Sequence, residues 1–107
     1  MDEFKILYHD WASDDIAEIR KGIIRRYNDE ISADRVVRQI VVDIQKLYLA
    51  PERGRLIGAA DDGCQIRAVT VRKHFIAIFI VDTQCKIVNI MRVVNSRRNI
   101  TMKLLHK

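Results

Sequence analysis

The first part of the chain changes its hydrophobic period after residue 9. Phe4, Ile6 and Tyr8 alternate with their neighbours, which is the period of a β-strand with one face buried more deeply than the other. From Asp10 the apolar residues recur every three or four positions, as on the buried side of an amphipathic helix: Ala12, Ile16, Ile19, Ile23 and Tyr27. The pattern therefore predicts a short strand followed by a helix.

Asn28-Asp29-Glu30 interrupts this period, and a second helical pattern follows it. Ser32 is the predicted cap, because a serine side chain can accept a hydrogen bond from an N–H group of the first helical turn. A wide apolar stripe then repeats at helical spacing: Val36, Val37, Ile40, Val41, Ile44, Leu47 and Tyr48. Pro51 ends this helix, since proline has no N–H to donate. Pro51-Glu52-Arg53-Gly54-Arg55 is predicted to be a turn-rich crossing.

Beyond Arg55 the chain shows the alternation and the turn residues of a β-sheet. Turns are predicted at Gly58 and at Asp61-Asp62-Gly63, and a strand from Cys64 to Val71. Phe75 to Val81 is a run of seven apolar residues, which is typical of a central strand that is covered on both faces.

Short polar segments separate the last elements. Arg72-Lys73-His74 is the predicted hairpin turn before the central strand, and Asp82-Thr83-Gln84 the turn after it. Lys86 to Val94 is the last long strand, and Ile100 to Leu105 is either a short helix or an irregular tail. The order β-α-α-β-β-β predicts one α+β domain over residues 1–107.

Composition agrees with a single small core. The chain has 107 residues, of which 49% are hydrophobic and 31% charged, and this is too apolar for a disordered protein. It contains no apolar run of the roughly 18 to 20 residues that span a bilayer, and Met1-Asp2-Glu3 is acidic where a signal peptide is basic. A soluble cytoplasmic protein without membrane contacts is expected, with Cys64 and Cys85 as reduced core thiols.

Charge is distributed unevenly along the chain. Residues 1–50 have a net charge of −2 and residues 51–107 a net charge of +7, and no acidic residue follows Asp82. A localised positive field attracts polyanions or an acidic protein partner. The alternative is that these are only solubilising surface charges.

The sequence offers little for metal binding or covalent catalysis. His9, His74 and His106 lie far apart, and neither cysteine belongs to a paired metal-ligand spacing. The chain has no nucleophile elbow and no glycine run that could hold a phosphate. Two acidic pairs have local explanations as helix N-terminal charge and as turn residues: Asp14/Asp15 and Asp61/Asp62. We therefore expect no metal, no cofactor and no catalytic carboxylate.

Arginine is the unusual residue of the second half. Four arginines lie in the predicted strands or close the last one: Arg67, Arg92, Arg97 and Arg98. Guanidinium groups suit two-point contacts with phosphates or carboxylates, so these residues are candidates for binding a target. The alternative for the two within strands is a structural pair with a backbone carbonyl or with an acid such as Asp43 or Glu18. For the two at the strand end it is a solvated terminus.

In this order, the features resemble the RelE/ParE toxin superfamily, and within it the ParE branch. The resemblance covers residues 4–99 and depends on a strand, a helix containing Ala12 to Ile19, the Pro51-Glu52-Arg53-Gly54-Arg55 step, Arg67, an apolar strand and the ending Ile90 to Asn99. It implies a small antiparallel β-sheet packed against an N-terminal helical hairpin. It also implies the toxin half of a type II toxin-antitoxin pair.

The resemblance leaves two targets open. RelE-like toxins cleave messenger RNA on the ribosome, whereas ParE-like toxins inhibit DNA gyrase by binding it. Ile76 occupies the position that resembles the RelE-like strand arginine, no tyrosine follows Tyr48, and His106 is the only late acid or base. The expected function is therefore gyrase inhibition without a catalytic site. The alternatives are a ribosome-dependent messenger RNA endoribonuclease and a superfamily member that has lost toxicity.

The same resemblance implies the partners and the binding residues. A cognate antitoxin with an acidic or amphipathic segment is expected to neutralise the chain within a hetero-oligomer. The expected target-binding residues are Arg67, Arg92, Arg97, Arg98 and Lys103. If the last strand continues, Arg98 faces the partner with Arg92, and Arg97 stays nearer the fold with Val93, since successive side chains point to opposite faces.

Overall fold

A five-stranded sheet and a helical hairpin form the computed structural model, which describes residues 3–105. The strands are β1 (Lys5–Tyr8), β2 (Arg55–Ala59), β3 (Gln65–Val71), β4 (Phe75–Asp82) and β5 (Ile87–Asn95). The helices are α1 (Asp10–Tyr27) and α2 (Glu30–Gln45). Three short 3-10 segments complete the order: Lys46–Tyr48, Pro51–Arg53 and Met102–Leu105.

The strand order across the sheet is β1-β5-β4-β3-β2. The α+β class and the packing of a helical hairpin against the sheet are confirmed, and two details differ from the prediction. Gly58 lies within the additional strand β2, at a register shift after Leu56, and not in a turn. β1 pairs with β5 in parallel, so the sheet is mixed and not fully antiparallel. A parallel pair requires a long crossover, which the helical hairpin and the following strands provide.

Side-chain caps define the starts of both helices. His9 precedes α1, and its Nδ1 accepts a hydrogen bond from the Trp11 N–H at 3.1 Å. The prediction that Ser32 caps α2 was wrong, because Asp29 is the cap and its carboxylate accepts from the N–H (3.0 Å) and the Oγ (2.6 Å) of Ser32. These hydrogen bonds, first of all that from the Ser32 side chain, hold the pKa of Asp29 below its usual value. Asn28 ends α1 in the left-handed conformation, with φ of 50°.

β4 is the central strand in the predicted sense, since its alternate residues enter two different apolar clusters. Ala77, Phe79 and Val81 pack beneath the helices, whereas Ile78 packs on the opposite face. We call the side of the sheet under α1 and α2 the covered face and the other side the open face. The core of the covered face includes Ala12, Ile40, Ile44, Leu47, Val88, Ile90 and Val93.

The predicted turns are largely confirmed. Arg72, Lys73 and His74 connect β3 to β4 as a three-residue hairpin turn, in which Arg72 and Lys73 have φ of 45° and 62°. Asp62 Oδ1 accepts a hydrogen bond from the Cys64 N–H at 3.0 Å, so this acid is a turn residue. Both cysteines are free thiols, but neither is the core residue that the sequence predicted, since Cys64 is half-buried and Cys85 is exposed. Neither described helix is long and apolar enough to cross a membrane.

Candidate target-binding surface

The open face is only partly covered. Ile66 and Ala68 of β3 and Ile78 of β4 are buried there together with Leu104, which comes from the C-terminal segment (residues 100–105). Beside this cluster lies a cleft of about 360 Å³, which we call the basic groove, lined by Arg53, Arg55, Ala68, Val69, Thr70 and Ile76. The groove is therefore an apolar depression flanked by two guanidinium groups.

The local sequence before β2 explains how the two arginines reach the groove. Pro51 begins the short 3-10 segment that contains Arg53. Gly54 follows where the chain passes close to β3, since a Cβ atom there would lie 2.7 Å from the Ala68 carbonyl oxygen. Arg55 then opens β2 opposite Ala68. The glycine thus permits the close approach that brings the residues on either side of it to the groove.

The electrostatics of the groove favour an anionic partner. Within residues 3–105, neither Arg53 nor Arg55 has an ion pair or a side-chain hydrogen bond, and both side chains are exposed. Unpaired guanidinium groups above an apolar floor suit a carboxylate or a phosphate. The six lining side chains comprise two guanidinium groups, one hydroxyl group and three aliphatic groups, with no carboxylate, imidazole, thiol or amine. The groove can therefore bind an anion, but its lining supplies no general acid or base.

Arg67 is used within the fold. Its Nη1 donates a hydrogen bond to the Gly54 carbonyl oxygen at 2.6 Å, and its Nε donates to Gln65 Oε1 at 3.0 Å. The pairing with a backbone carbonyl, which the sequence left open, is thus present. The bond to Gly54 connects β3 to the segment before β2, so Arg67 fixes the position of the glycine between Arg53 and Arg55.

Arg92 is buried, with 7% of its surface exposed, and forms a charged pair with Asp15 of α1. Its Nε lies 2.7 Å from Asp15 Oδ2 and its Nη2 lies 2.9 Å from Asp15 Oδ1. The hydrogen bond to Asp15 raises the pKa of Arg92 above its usual value. The acid partner is therefore Asp15 and not Asp43 or Glu18. Direct contact with a target would require this pair to open.

Arg97 and Arg98 lie beyond the last strand. β5 ends at Asn95, whose Oδ1 accepts from the Arg97 N–H at 2.9 Å and whose carbonyl oxygen accepts from the Arg98 N–H at 3.0 Å. The chain turns there, so the alternation of a strand does not assign these residues to opposite faces. Both side chains are exposed, and neither guanidinium is paired with any residue of the described range.

The remaining predicted positions lie in different places. Lys103 is exposed on the short C-terminal 3-10 segment, and Ile76 lines the basic groove opposite Thr70. His106 lies outside the described residues. In the range 3–105, no three His, Cys, Asp or Glu side chains come together as a group that could hold a metal ion.

Sequence reasoning missed the structural roles of three residues. Arg53 and Arg55 are part of the Pro-x-x-Gly-Arg step, which supports the family resemblance but does not by itself identify them as binding residues. The available signal was that the two arginines stand on either side of a glycine, directly before an edge strand. Asp15 was interpreted as helix N-terminal charge, and nothing local in the sequence indicates its pairing with a residue 77 positions away.

The family is shown by a match over most of the chain. Residues 6–100 match the family described as ParE toxin of type II toxin-antitoxin system, parDE. The chain belongs to the ParE toxin family. The Pro-x-x-Gly-Arg step and the arginines of β3 and β5 all lie within the matched region of this ParE toxin.

Solved structures share the fold of this ParE-family chain. One is a chain of the chromosomal ParDE toxin-antitoxin system of P. aeruginosa, with 20% identity, a TM-score of 0.70 and coverage of 89% of this chain and 98% of that chain. Another is from the RelBE2 toxin-antitoxin complex of Mycobacterium tuberculosis, with 14% identity, a TM-score of 0.54 and coverage of 87% and 98%. No curated protein sequence matches this chain.

Proposed function

We propose that this ParE-family chain acts in the cytoplasm as a one-domain toxin that inhibits DNA gyrase by binding it, and that a cognate antitoxin neutralises it. The exposed arginines of the open face and of the turn after β5 supply the contacts with the target. Binding at a protein surface needs charge complementarity and an apolar contact area, both of which the basic groove offers.

The composition of the basic groove carries this proposal. A nuclease that cleaves RNA through the ribose 2′-hydroxyl needs a group to accept a proton and a cation near the scissile phosphate. Ile76 contributes an apolar side chain at the groove, and the other lining residues contribute only guanidinium, hydroxyl and aliphatic groups. Such a surface supports inhibition by binding better than it supports catalysis.

The test measures both activities on the same purified protein. We expect loss of gyrase supercoiling, or accumulation of cleaved DNA complexes, with no cleavage of ribosome-bound messenger RNA. The double variant Arg53→Ala/Arg55→Ala should lose inhibition. Arg35→Ala/Arg38→Ala, which removes two exposed arginines of α2 on the covered side of the sheet, serves as the matched charge control and should retain inhibition.

The ribosomal alternative has one observation in its favour, which is that two free guanidinium groups also suit an RNA backbone. Cuts in messenger RNA at the ribosomal A site, in phase with the codons, would overturn the gyrase assignment. A protein without either activity and without growth arrest would identify the chain as a member that has lost toxicity.

The antitoxin part of the proposal is supported by charge. The two solved structures described above come from a ParDE system and from a RelBE2 toxin-antitoxin complex. We infer that an acidic or amphipathic antitoxin segment covers the basic groove and folds as it binds. Affinity should then fall as salt is raised, because screening weakens exposed charge pairs. Equal affinity at low and high ionic strength would exclude the electrostatic contribution.

A further inference from the structure

The edge of β5 is incomplete beyond the end of β1. β1 pairs with β5 only as far as Tyr8 and Ile90, while β5 continues to Asn95. An unpaired N–H at a partly buried sheet edge costs stability unless another group accepts its hydrogen bond. Asp15 of α1 is that acceptor, since its Oδ2 lies 3.0 Å from the Val93 N–H. A helix carboxylate therefore takes the place of the missing strand.

The same carboxylate holds Arg92, and Arg92 in turn holds the C-terminal segment. The Nη1 of Arg92 donates to the Leu104 carbonyl oxygen at 2.9 Å, and this hydrogen bond is buried. One guanidinium therefore joins α1, β5 and the 3-10 segment Met102–Leu105. The Asp15 and Arg92 side chains are only 13% and 8% exposed, so water does not readily compete for these contacts.

The other contacts that hold the C-terminal segment are apolar. Leu104 is buried in the open-face cluster, and Ile100 and Leu105 pack against that cluster. Met102 lies over Gly58 of β2, where a Cβ atom would be 3.0 Å from the methionine sulfur. Lys103 is exposed on the same short turn. The Arg92 hydrogen bond is therefore a main polar attachment of this segment to the sheet.

We propose that Asp15 and Arg92 form a latch that fixes the C-terminal segment on the open face and so positions Lys103 for contact with the target. Both are positioning residues, because they act through the segment and do not touch the target. The latch itself stands on the geometry above. Its functional consequence rests on the proposed inhibition of gyrase.

The physical part is tested by hydrogen exchange in Arg92→Lys. A lysine keeps the charge beside Asp15 but carries its donors on one nitrogen, whereas Arg92 contacts Asp15 and the Leu104 carbonyl oxygen from three separate nitrogens. We expect exchange of the Leu104 amide to rise about tenfold, since one buried charge-assisted hydrogen bond is lost, while the amides of β4 are unchanged. Arg20→Lys, in the exposed Arg20–Asp34 pair, is the matched control and should leave the segment unchanged. Unaltered exchange at Leu104 in Arg92→Lys would overturn the latch.

A second variant distinguishes local loosening of the C-terminal segment from unfolding of the whole protein. Asp15→Asn keeps the size of the side chain and an acceptor for the Val93 N–H but removes the charge that orients Arg92. If amide exchange in Arg92→Lys rises throughout the chain, Asp15→Asn is expected to raise exchange selectively at the Leu104 amide. A uniform rise across the sheet in both variants would show that the pair supports the whole fold and is not a latch, which would overturn the proposal.

The functional part is measured in the gyrase assay. Arg92→Lys should need at least about tenfold more protein for half inhibition than the wild type and Arg20→Lys, in line with the exchange result. A loosened segment with wild-type inhibition would overturn the positioning role. Wild-type protein that does not inhibit gyrase would refute the proposed function, whereas the exchange experiment would still decide whether the latch exists.

Discussion

The covered face and the open face of the sheet are built from the same strands but differ in burial and in the pairing of their side chains. On the covered face, Phe79, Ile44 and Leu47 are fully buried against the helices. On the open face, Arg53 and Arg55 have no partner within residues 3–105 and flank an apolar groove. Buried apolar side chains contribute to stability, whereas exposed and unpaired guanidinium groups are available for binding. Variants of the two faces should therefore change different measurements.

The largest expected effect is on the covered face. Phe79→Ala removes a fully buried aromatic ring from the middle of β4 and should lower the free energy of unfolding by about 3–5 kcal/mol. Urea denaturation measures this loss. Leu56→Ala on β2 is the matched control, since that side chain is 57% exposed and should change stability by no more than about 0.5 kcal/mol. Similar losses in both variants would contradict the link between burial beneath the helices and stability.

A second prediction concerns the glycine that shapes the basic groove. Gly54→Ala would place a Cβ atom 2.7 Å from the Ala68 carbonyl oxygen, so the backbone must shift, and we expect a loss of about 1–3 kcal/mol. Gly22→Ala in α1 has only an ordinary contact at 3.9 Å, and it should stabilise the protein by about 0.5–1 kcal/mol. Thermal unfolding of both variants checks this opposite sign. A neutral Gly54→Ala would show that the close approach is not required.

The third prediction uses Asp43, which connects α2 to the hairpin turn after β3. Its Oδ2 accepts from the Arg72 N–H at 2.7 Å and its Oδ1 lies 3.2 Å from Lys46 Nζ. The Arg72 hydrogen bond, more than Lys46, holds the pKa of this carboxyl below its usual value. Because the folded-state pKa is the lower one, the stabilisation is present above about pH 4 and is lost as the pH falls through the folded-state value.

Asp43→Asn should therefore flatten the fall of unfolding free energy on acidification, measured by urea denaturation at a series of pH values. Lys46→Met removes only the lesser cause and should flatten it less. A larger change in Lys46→Met than in Asp43→Asn would mean that the ion pair, and not the backbone hydrogen bond, dominates the pKa of Asp43.

Hydrophobic periodicity was sufficient to predict the elements of the covered face. The stripes of α1 and α2 each bury one side of a helix and the apolar run of β4 buries both faces of a strand, so the pattern is local and strong. β2 was missed because it is a short edge strand with a register shift at Gly58, and a glycine suggests a turn. The parallel pairing of β1 with β5 depends on the path of the whole chain, so no local sequence pattern predicts it.

The candidate site was less accessible from sequence than the fold. Charge distribution indicated a basic surface in the second half, and Arg97 and Arg98 are indeed exposed there. The chain does not reveal which arginines are free, because Arg67 is engaged by a backbone carbonyl and Arg92 by an acid on a different element. Such pairings arise only when the folded chain brings distant residues together.

The smallest expected effect on stability, and the sharpest test of the comparison, concerns the arginines that follow β5. Arg97→Ala and Arg98→Ala remove exposed, unpaired guanidinium groups, so each should change the free energy of unfolding by no more than about 0.5 kcal/mol. If these residues contact the target, the same variants should abolish growth arrest when expressed in bacteria.

Arg92→Ala is the contrasting variant. It leaves Asp15 largely buried without its partner and should lower the melting temperature together with toxicity. Measuring thermal unfolding and growth arrest for each variant separates binding from folding. Full toxicity in both Arg97→Ala and Arg98→Ala would remove this turn from the target-binding surface and leave the basic groove and Lys103 as the remaining candidates.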